Sequence, residues 1–136
     1  RDEGPGSGIG RVAREGGGAA LRGPPAARGL PVGGVGASVN QCPGLGVAAV
    51  DPNVAIPTDN GTAAQWARVQ MPAFRAGIDA GADAVMTTAV YVPGLGAGRT
   101  PAMFSAPVVS RLRKQLGFQG VIMTDSVSMG GIGARY

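Results

Sequence analysis

The stretch GFQGVIMTDSVSMGGI, residues 117–132, decides how the rest of the chain is interpreted. Its apolar run, residues 121–123, is typical of a buried strand, and the carboxylate of Asp125 follows two positions later. Asp125 then has two possible roles. It either caps a helix that begins near residues 126–128 or points at a substrate. Spacing alone leaves these two interpretations evenly balanced.

The segment before this strand predicts a helix over residues 105–116. Ser105 is a suitable N-cap, Pro107 fits the first helical turn, and Gly117 is placed to end the helix. The apolar residues recur at three- to four-residue spacing on one face: Val108, Val109, Leu112 and Leu116. A helix therefore leads directly into the strand that ends at Asp125.

The same order recurs one step earlier in the chain. Residues 63–80 have a helical pattern in which Pro72 starts a second helix, and Gly81 is placed to end it. DAVMTTAVYV, residues 83–92, then reads as an apolar strand, whereas residues 39–62 read as loop entered from a short strand. Apolar strands that alternate with helices predict a parallel α/β sheet. Functional groups of such sheets lie at the carboxyl ends of strands, where residues 87–89 and Asp125 fall.

Composition excludes several classes of function. The chain has 136 residues, no His and a single Cys, so His-based triads are impossible and no metal site is expected. Its net charge of +4 comes from scattered basic residues without interleaved aromatics, and nucleic-acid binding is not expected. No apolar run is long enough for a membrane span. Nothing in the sequence distinguishes a cytoplasmic from an exported bacterial protein.

The amino-terminal segment differs from the remainder. The 25 Gly and 11 Pro of the chain are dense in residues 1–38, which contain few large apolar side chains. Such a segment buries too little surface to offset its ordering entropy, so we expect it to be irregular. The abrupt change of composition leads to the hypothesis that residues 1–36 are not authentic sequence of the domain that follows.

Three segments carry a family resemblance: FRAGIDAGADAVM (residues 74–86), LRKQLGFQGVIMTD (112–125) and SMG (128–130). In order and spacing they closely resemble the amino-terminal barrel domain of glycoside hydrolase family 3, in its bacterial β-N-acetylhexosaminidase branch. The resemblance implies that residues 39–136 are part of a (β/α)8 TIM-type barrel, containing its later strands only. Residues 83–90 and 120–125 would be adjacent barrel strands, the sixth and seventh.

The resemblance also implies roles for individual residues. Asp125 matches the catalytic nucleophile, which forms a covalent glycosyl-enzyme that water later hydrolyses with net retention. Thr124 and residues 126–129, Met129 among them, would shape the sugar pocket. No metal or organic cofactor is implied.

The chain departs from the family pattern at several positions. In NQCPGLG, residues 40–46, Asn40 and Gln41 stand where the family has the Lys and His that grip substrate hydroxyls; both remain candidates for hydrogen bonding to a sugar. The branch's Asp–His acid/base pair cannot exist without His. Asp51 and Asp59 lie in its region without matching the motif, and Ala89 occupies a strand-end position where the branch often has His.

The resulting functional expectation is a retaining glycosidase of β-N-acetylhexosaminidase type. Its implied substrate is terminal β-linked N-acetylglucosamine in cell-wall glycans or muropeptides, and we expect the chain alone to be weak or inactive. The alternative is a non-catalytic relative that binds carbohydrate or a protein partner. A barrel fragment with unrelated chemistry is a third possibility.

Overall fold

The computed structural model describes residues 36–45, 50–51, 54–133 and 135. Most of the predicted irregular segment, residues 1–38, lies outside these ranges. In chain order the elements are β1 (Ser38–Cys42), α1 (Ala63–Val69), α2 (Met71–Asp79), β2 (Ala84–Thr87), α3 (Ala106–Ser110), β3 (Val121–Thr124) and α4 (Gly130–Gly133). Short 3-10 turns at Pro93–Leu95 and Ala102–Phe104 lie in the long connection after β2.

The three strands form one parallel sheet in the order β1-β2-β3. Ser38 pairs with Ala84, and β2 pairs with β3 in continuous register from Ala84–Val121 to Thr87–Thr124. The predicted parallel α/β arrangement is confirmed, and so is the adjacency of the two later strands. Both are shorter than predicted, because the chain leaves the ladder after Thr87 and after Thr124.

The sheet is open within the described part of the chain, where no fourth strand closes it into a barrel. Its two outer strands are β1 and β3. An apolar face of β3 is exposed, with Val121 62% exposed and Met123 38% exposed. Apolar strand residues stabilise a sheet when they are buried, so these two contribute little while the face stays uncovered.

The helices α1 and α2 follow each other with almost no connection. Thr62 caps α1 through a capping box with Gln65, which satisfies two backbone N–H groups at the helix start. Pro72 lies in the first turn of α2, as predicted. Gly81 follows the helix with a φ of +94°, a conformation that residues with a Cβ rarely adopt, and the predicted glycine stop is confirmed.

The third helix starts as predicted but changes geometry halfway along its length. Ser105 caps α3 by accepting from the Val108 backbone N–H, and Pro107 occupies the first turn. Beyond Ser110 the chain continues as a π-helical segment, Arg111–Gln115, in which the Leu116 N–H donates to the carbonyl of Arg111. Gly117, with a φ of +67°, ends the segment. The single regular helix predicted over residues 105–116 is therefore wrong in its second half.

Two apolar clusters hold the described elements together. The larger cluster lies between the sheet and its helices, and its largest fully buried side chains are those of Val85, Val90, Val108 and Leu112. The smaller cluster consists of Ala89, Met103, Met129 and Ile132. Because Ala89 and Met129 follow β2 and β3 respectively, the smaller cluster packs at the carboxyl end of the sheet. None of the described helices combines the length and apolar character needed to cross a bilayer.

Candidate active site

The ends of β2 and β3 are joined by backbone and side-chain hydrogen bonds. The backbone N–H of Asp125 donates to the carbonyl of Thr87 at 2.7 Å. The Thr87 hydroxyl donates in turn to the carbonyl of Met123 at 3.1 Å. Thr87 is almost fully buried, so these bonds are shielded from water. The bond to the Thr87 carbonyl, which involves no side chain, fixes the backbone of Asp125 one residue beyond the last residue of β3.

Each carboxylate oxygen of Asp125 accepts a hydrogen bond. The Thr88 hydroxyl donates to Oδ2 at 3.1 Å, and the backbone N–H of Ser126 donates to Oδ1 at 2.8 Å. The side chain is half-buried, so part of the carboxylate faces solvent. The arrangement orients an anionic group while leaving it accessible, which suits a nucleophile or a ligand for a polar substrate.

The helix-cap interpretation of Asp125 is wrong. The next described helix, α4, begins at Gly130 rather than near residues 126–128. An N-cap carboxylate bonds the backbone N–H two or three residues further on, whereas Asp125 bonds that of Ser126, the residue directly after it. Capping therefore does not account for a carboxylate at this strand end.

Asn40 and Gln41 lie in a β-bulge at the carboxyl end of β1. Val39 pairs with Val85 and Cys42 with Thr87, so three residue steps on β1 face two on β2. Gln41 absorbs the extra residue with a φ of +64°, in the left-handed region that is strained for a residue with a Cβ. Bulges occur frequently beside active sites, where they redirect side chains.

The side chains of the bulge and the following loop are braced locally. The amide oxygen of Asn40 accepts from the Ser38 hydroxyl at 2.8 Å. Beyond the cis Cys42–Pro43 bond, the indole N–H of Trp66 donates to the carbonyl of Pro43 at 2.8 Å. The bulge residues and Asp125 thus lie at the same end of the sheet. Thr88 links the two regions, because its backbone N–H donates to the carbonyl of Cys42 at 3.0 Å.

Met129 and Ala89 are both in the smaller apolar cluster. Met129 is 7% exposed and Ala89 is fully buried. The structure thus places Met129 close behind the strand ends as a packing residue, and its role toward a sugar stays a prediction. The surroundings of Ala89 are apolar.

The two remaining acidic candidates lie in different environments. Asp51 is exposed, and its backbone carbonyl accepts from the N–H groups of Val54 and Ala55. Asp59 is buried, and its carboxylate accepts from the Gly61 N–H at 2.7 Å and from the Gln70 amide at 3.2 Å. Asp59 also lines a surface depression of about 390 Å³ that Asp125 does not line. Its hydrogen bonds stabilise the segment that leads into α1.

Sequence reasoning located Asp125 but missed two tertiary contacts at this end of the sheet. Thr88 was placed at a strand end, yet nothing in the sequence pairs its hydroxyl with a residue 37 positions away. Trp66 falls within the helical pattern predicted for residues 63–80, whereas its polar contact with Pro43 is a tertiary feature. Such contacts depend on the packing of the sheet and helices, which local patterns do not specify.

A half-exposed carboxylate held at the carboxyl end of a parallel α/β sheet defines the class: an α/β protein with its functional groups at the strand ends. The chain belongs to glycosyl hydrolase family 3. The sequence model of the family described as "Glycosyl hydrolase family 3 N terminal domain" matches residues 19–136. This match includes every described residue, and it begins inside the Gly- and Pro-rich segment 1–38.

Individual proteins agree with the family assignment. The chain is 40% identical over 107 residues to a beta-hexosaminidase of Methylobacillus flagellatus, covering 78% of this chain and 30% of that protein. A family 3 beta-N-acetylglucosaminidase from Paenibacillus sp. str. FPU-7 has a similar structure, with a TM-score of 0.81 and 36% identity over 86% of this chain and 22% of that one. A beta-N-acetylhexosaminidase from Beutenbergia cavernae gives a TM-score of 0.72 at 32% identity, covering 87% and 41% respectively. The chain therefore spans less than half the length of each of these relatives.

Proposed function

We propose that this chain carries the nucleophile of a retaining glycoside hydrolase of β-N-acetylhexosaminidase type. Asp125 is the proposed nucleophile, and terminal β-linked N-acetylglucosamine in glycans or cell-wall fragments is the proposed substrate. The observation that carries the proposal is the fixed, partly exposed carboxylate at the end of β3. The names of the relatives, beta-hexosaminidase and beta-N-acetylglucosaminidase, support the substrate class.

The proposed reaction has two displacements. In the first, a carboxylate oxygen of Asp125 attacks the anomeric carbon, the bond to the leaving-group oxygen breaks, and a glycosyl ester forms. In the second, water attacks the same carbon and loses a proton to solvent, the ester bond breaks, and the carboxylate is regenerated with net retention of configuration. Hydrogen bonds to both oxygens of Asp125 hold the group in one orientation for the attack.

Proton transfer to the leaving group is the step of this mechanism that the chain supports least. The leaving-group oxygen of a natural glycan needs a proton, and the chain contains no His to supply it. Loss of general acid catalysis costs on the order of 10²–10⁴-fold in rate. We therefore propose that the chain acts poorly on natural glycans and better on substrates whose leaving group departs as a stable anion.

The architecture we propose is that residues 39–136 form the later part of a (β/α)8 barrel, with Asn40 and Gln41 contributing to the sugar pocket. Support comes from the three parallel strands with open outer edges, the exposed apolar face of β3 and the bulge at the end of β1. Asn40 and Asp125 would then face the same cavity, because the carboxyl ends of barrel strands surround one site.

The test is covalent labelling with 2,4-dinitrophenyl N-acetyl-β-glucosaminide, whose leaving group needs no protonation. We expect dinitrophenolate release and a mass increase of one N-acetylglucosaminyl residue on the peptide that contains Asp125. Asp125→Asn abolishes the adduct, since an amide is a poor nucleophile, whereas Asp79→Asn on the exposed end of α2 leaves it unchanged. An adduct elsewhere, or equal labelling of Asp125→Asn, contradicts the proposal.

The second candidate function is a non-catalytic relative that binds carbohydrate or a protein partner. The full burial of Ala89 among apolar side chains, where the branch often has His, favours this alternative. It predicts no adduct with the activated substrate but saturable binding of N,N′-diacetylchitobiose, followed by chemical-shift changes at Asn40 and Gln41. Cellobiose, which has the same β-1,4 linkage but lacks the acetamido groups, is the matched control ligand.

A further inference from the structure

We infer that Thr88 is the positioning residue for Asp125, acting through the carboxylate without touching the substrate; this inference rests on the proposed function. The observation behind it is the hydrogen bond from the Thr88 hydroxyl to Asp125 Oδ2, 3.1 Å long and spanning the ends of two neighbouring strands. Thr88 stands directly after β2, and Asp125 directly after β3.

Thr88 is held firmly enough to orient another side chain. It is fully buried, its N–H donates to the carbonyl of Cys42, and its own carbonyl accepts from the N–H groups of Val90 and Met103, both at 3.1 Å. As a β-branched residue it has restricted rotation about χ1. The direction of its hydroxyl is therefore determined by the surrounding backbone, and Asp125 Oδ2 is held where that hydroxyl points.

The second hydrogen-bond donor to the carboxylate is held less firmly than Thr88. Asp125 Oδ1 accepts from the Ser126 N–H, and Ser126 is an exposed residue in the turn that follows β3. Without the Thr88 hydroxyl, the carboxylate keeps, among the described residues, only this neighbouring donor and gains freedom to rotate about its Cβ–Cγ bond. A misoriented nucleophile attacks less often, although the substrate still binds.

Thr87, the last residue of β2 and the neighbour of Thr88, provides a matched comparison. It is 1% exposed, and its hydroxyl also donates across to the β3 side at 3.1 Å, but the acceptor is the backbone carbonyl of Met123. Removing either hydroxyl deletes one buried hydrogen bond of the same length. Only the removal at Thr88 frees a carboxylate oxygen of Asp125.

The experiment compares Thr88→Val, Thr88→Ser and Thr87→Val with the unchanged chain. The readout is the first-order rate of Asp125 labelling by 2,4-dinitrophenyl N-acetyl-β-glucosaminide, measured over a range of substrate concentrations. We expect Thr88→Val to lower the maximal labelling rate about tenfold to a hundredfold, as for loss of a hydrogen bond to a charged group. The half-saturating concentration stays the same, Thr88→Ser restores the rate to within a few-fold, and Thr87→Val changes it little.

A second measurement, independent of activity, tests the contact itself. The urea midpoint is measured for Thr88→Val, for Asp125→Asn and for the double variant, which together form a double-mutant cycle. We expect the shift of the double variant to differ from the sum of the two single shifts. The Thr87→Val and Asp125→Asn pair serves as the control cycle and is expected to be closer to additive.

Three results overturn the inference while leaving Asp125 as the proposed nucleophile. These are undiminished labelling of Thr88→Val, an equal loss in Thr87→Val, and failure of Thr88→Ser to recover the rate. If the unchanged chain forms no adduct, the proposed function fails and the positioning role fails with it. A non-additive cycle in that case shows that the contact serves the fold alone.

Discussion

The close approach of α2 to β1 provides the most quantitative prediction of this structure. Gly77 on α2 is buried, and a Cβ placed on it would lie 2.5 Å from Cγ2 of Val39 on β1. Carbon atoms in contact are ordinarily 3.5–4.0 Å apart. Gly77→Ala therefore requires the helix or Val39 to move by about 1 Å, and Val39 is itself 3% exposed and has stiff β-branched geometry.

Two opposing free-energy terms determine the net effect of Gly77→Ala. Alanine is favoured over glycine within a helix by about 0.5–1 kcal/mol. Overpacking of a filled core costs about 1–3 kcal/mol. The expected outcome is a loss of about 1–2 kcal/mol in the free energy of unfolding. With a urea m-value of about 2 kcal/mol/M, the middle of the usual range, the midpoint falls by roughly 0.5–1 M.

The assay is urea unfolding followed by the fluorescence of Trp66, the single tryptophan of the chain, which is buried in the larger cluster. Gly133→Ala is the matched control, because a Cβ there meets no atom of the described residues within 4 Å, and we expect its midpoint to be unchanged or slightly raised. Val39→Ala combined with Gly77→Ala is expected to cost less than the sum of the two single changes. A midpoint of Gly77→Ala at or above that of the unchanged chain would refute the reasoning.

Two further predictions concern the loop that follows β1. Trp66→Phe removes the donor to the buried carbonyl of Pro43 and is expected to lower the free energy of unfolding by about 1–3 kcal/mol, measured by circular dichroism in urea; a stability equal to the original contradicts it. Burial raises the pKa of the Cys42 thiol, so the reactive thiolate is scarce in the folded chain. An aromatic disulfide reagent is therefore expected to label Cys42 slowly up to about pH 9 and rapidly in urea, and fast labelling of the folded chain would contradict the burial.

Much of the local structure could be predicted from the sequence because its signals are local. Pro72, Ser105, Gly81 and Gly117 mark helix starts and ends through backbone geometry that each residue imposes on its own turn. The alternation of helices with apolar strands was sufficient to predict the parallel sheet. The order of the motifs was sufficient to predict the family. The π-helical segment was missed, because the spacing of apolar residues does not show whether the backbone hydrogen bonds join residues four or five positions apart.

In the candidate site, too, local features could be predicted from the sequence, whereas contacts between distant residues could not. By itself, the sequence determined that a carboxylate directly follows β3 and that no His is present. Only the tertiary structure decided against a helix cap for Asp125 and paired the carboxylate with Thr88. It also placed Gln41 in a bulge. Hydrogen bonds between residues distant in the chain form only when strand register brings the partners together, and register is set by packing of the whole sheet rather than by neighbouring residues.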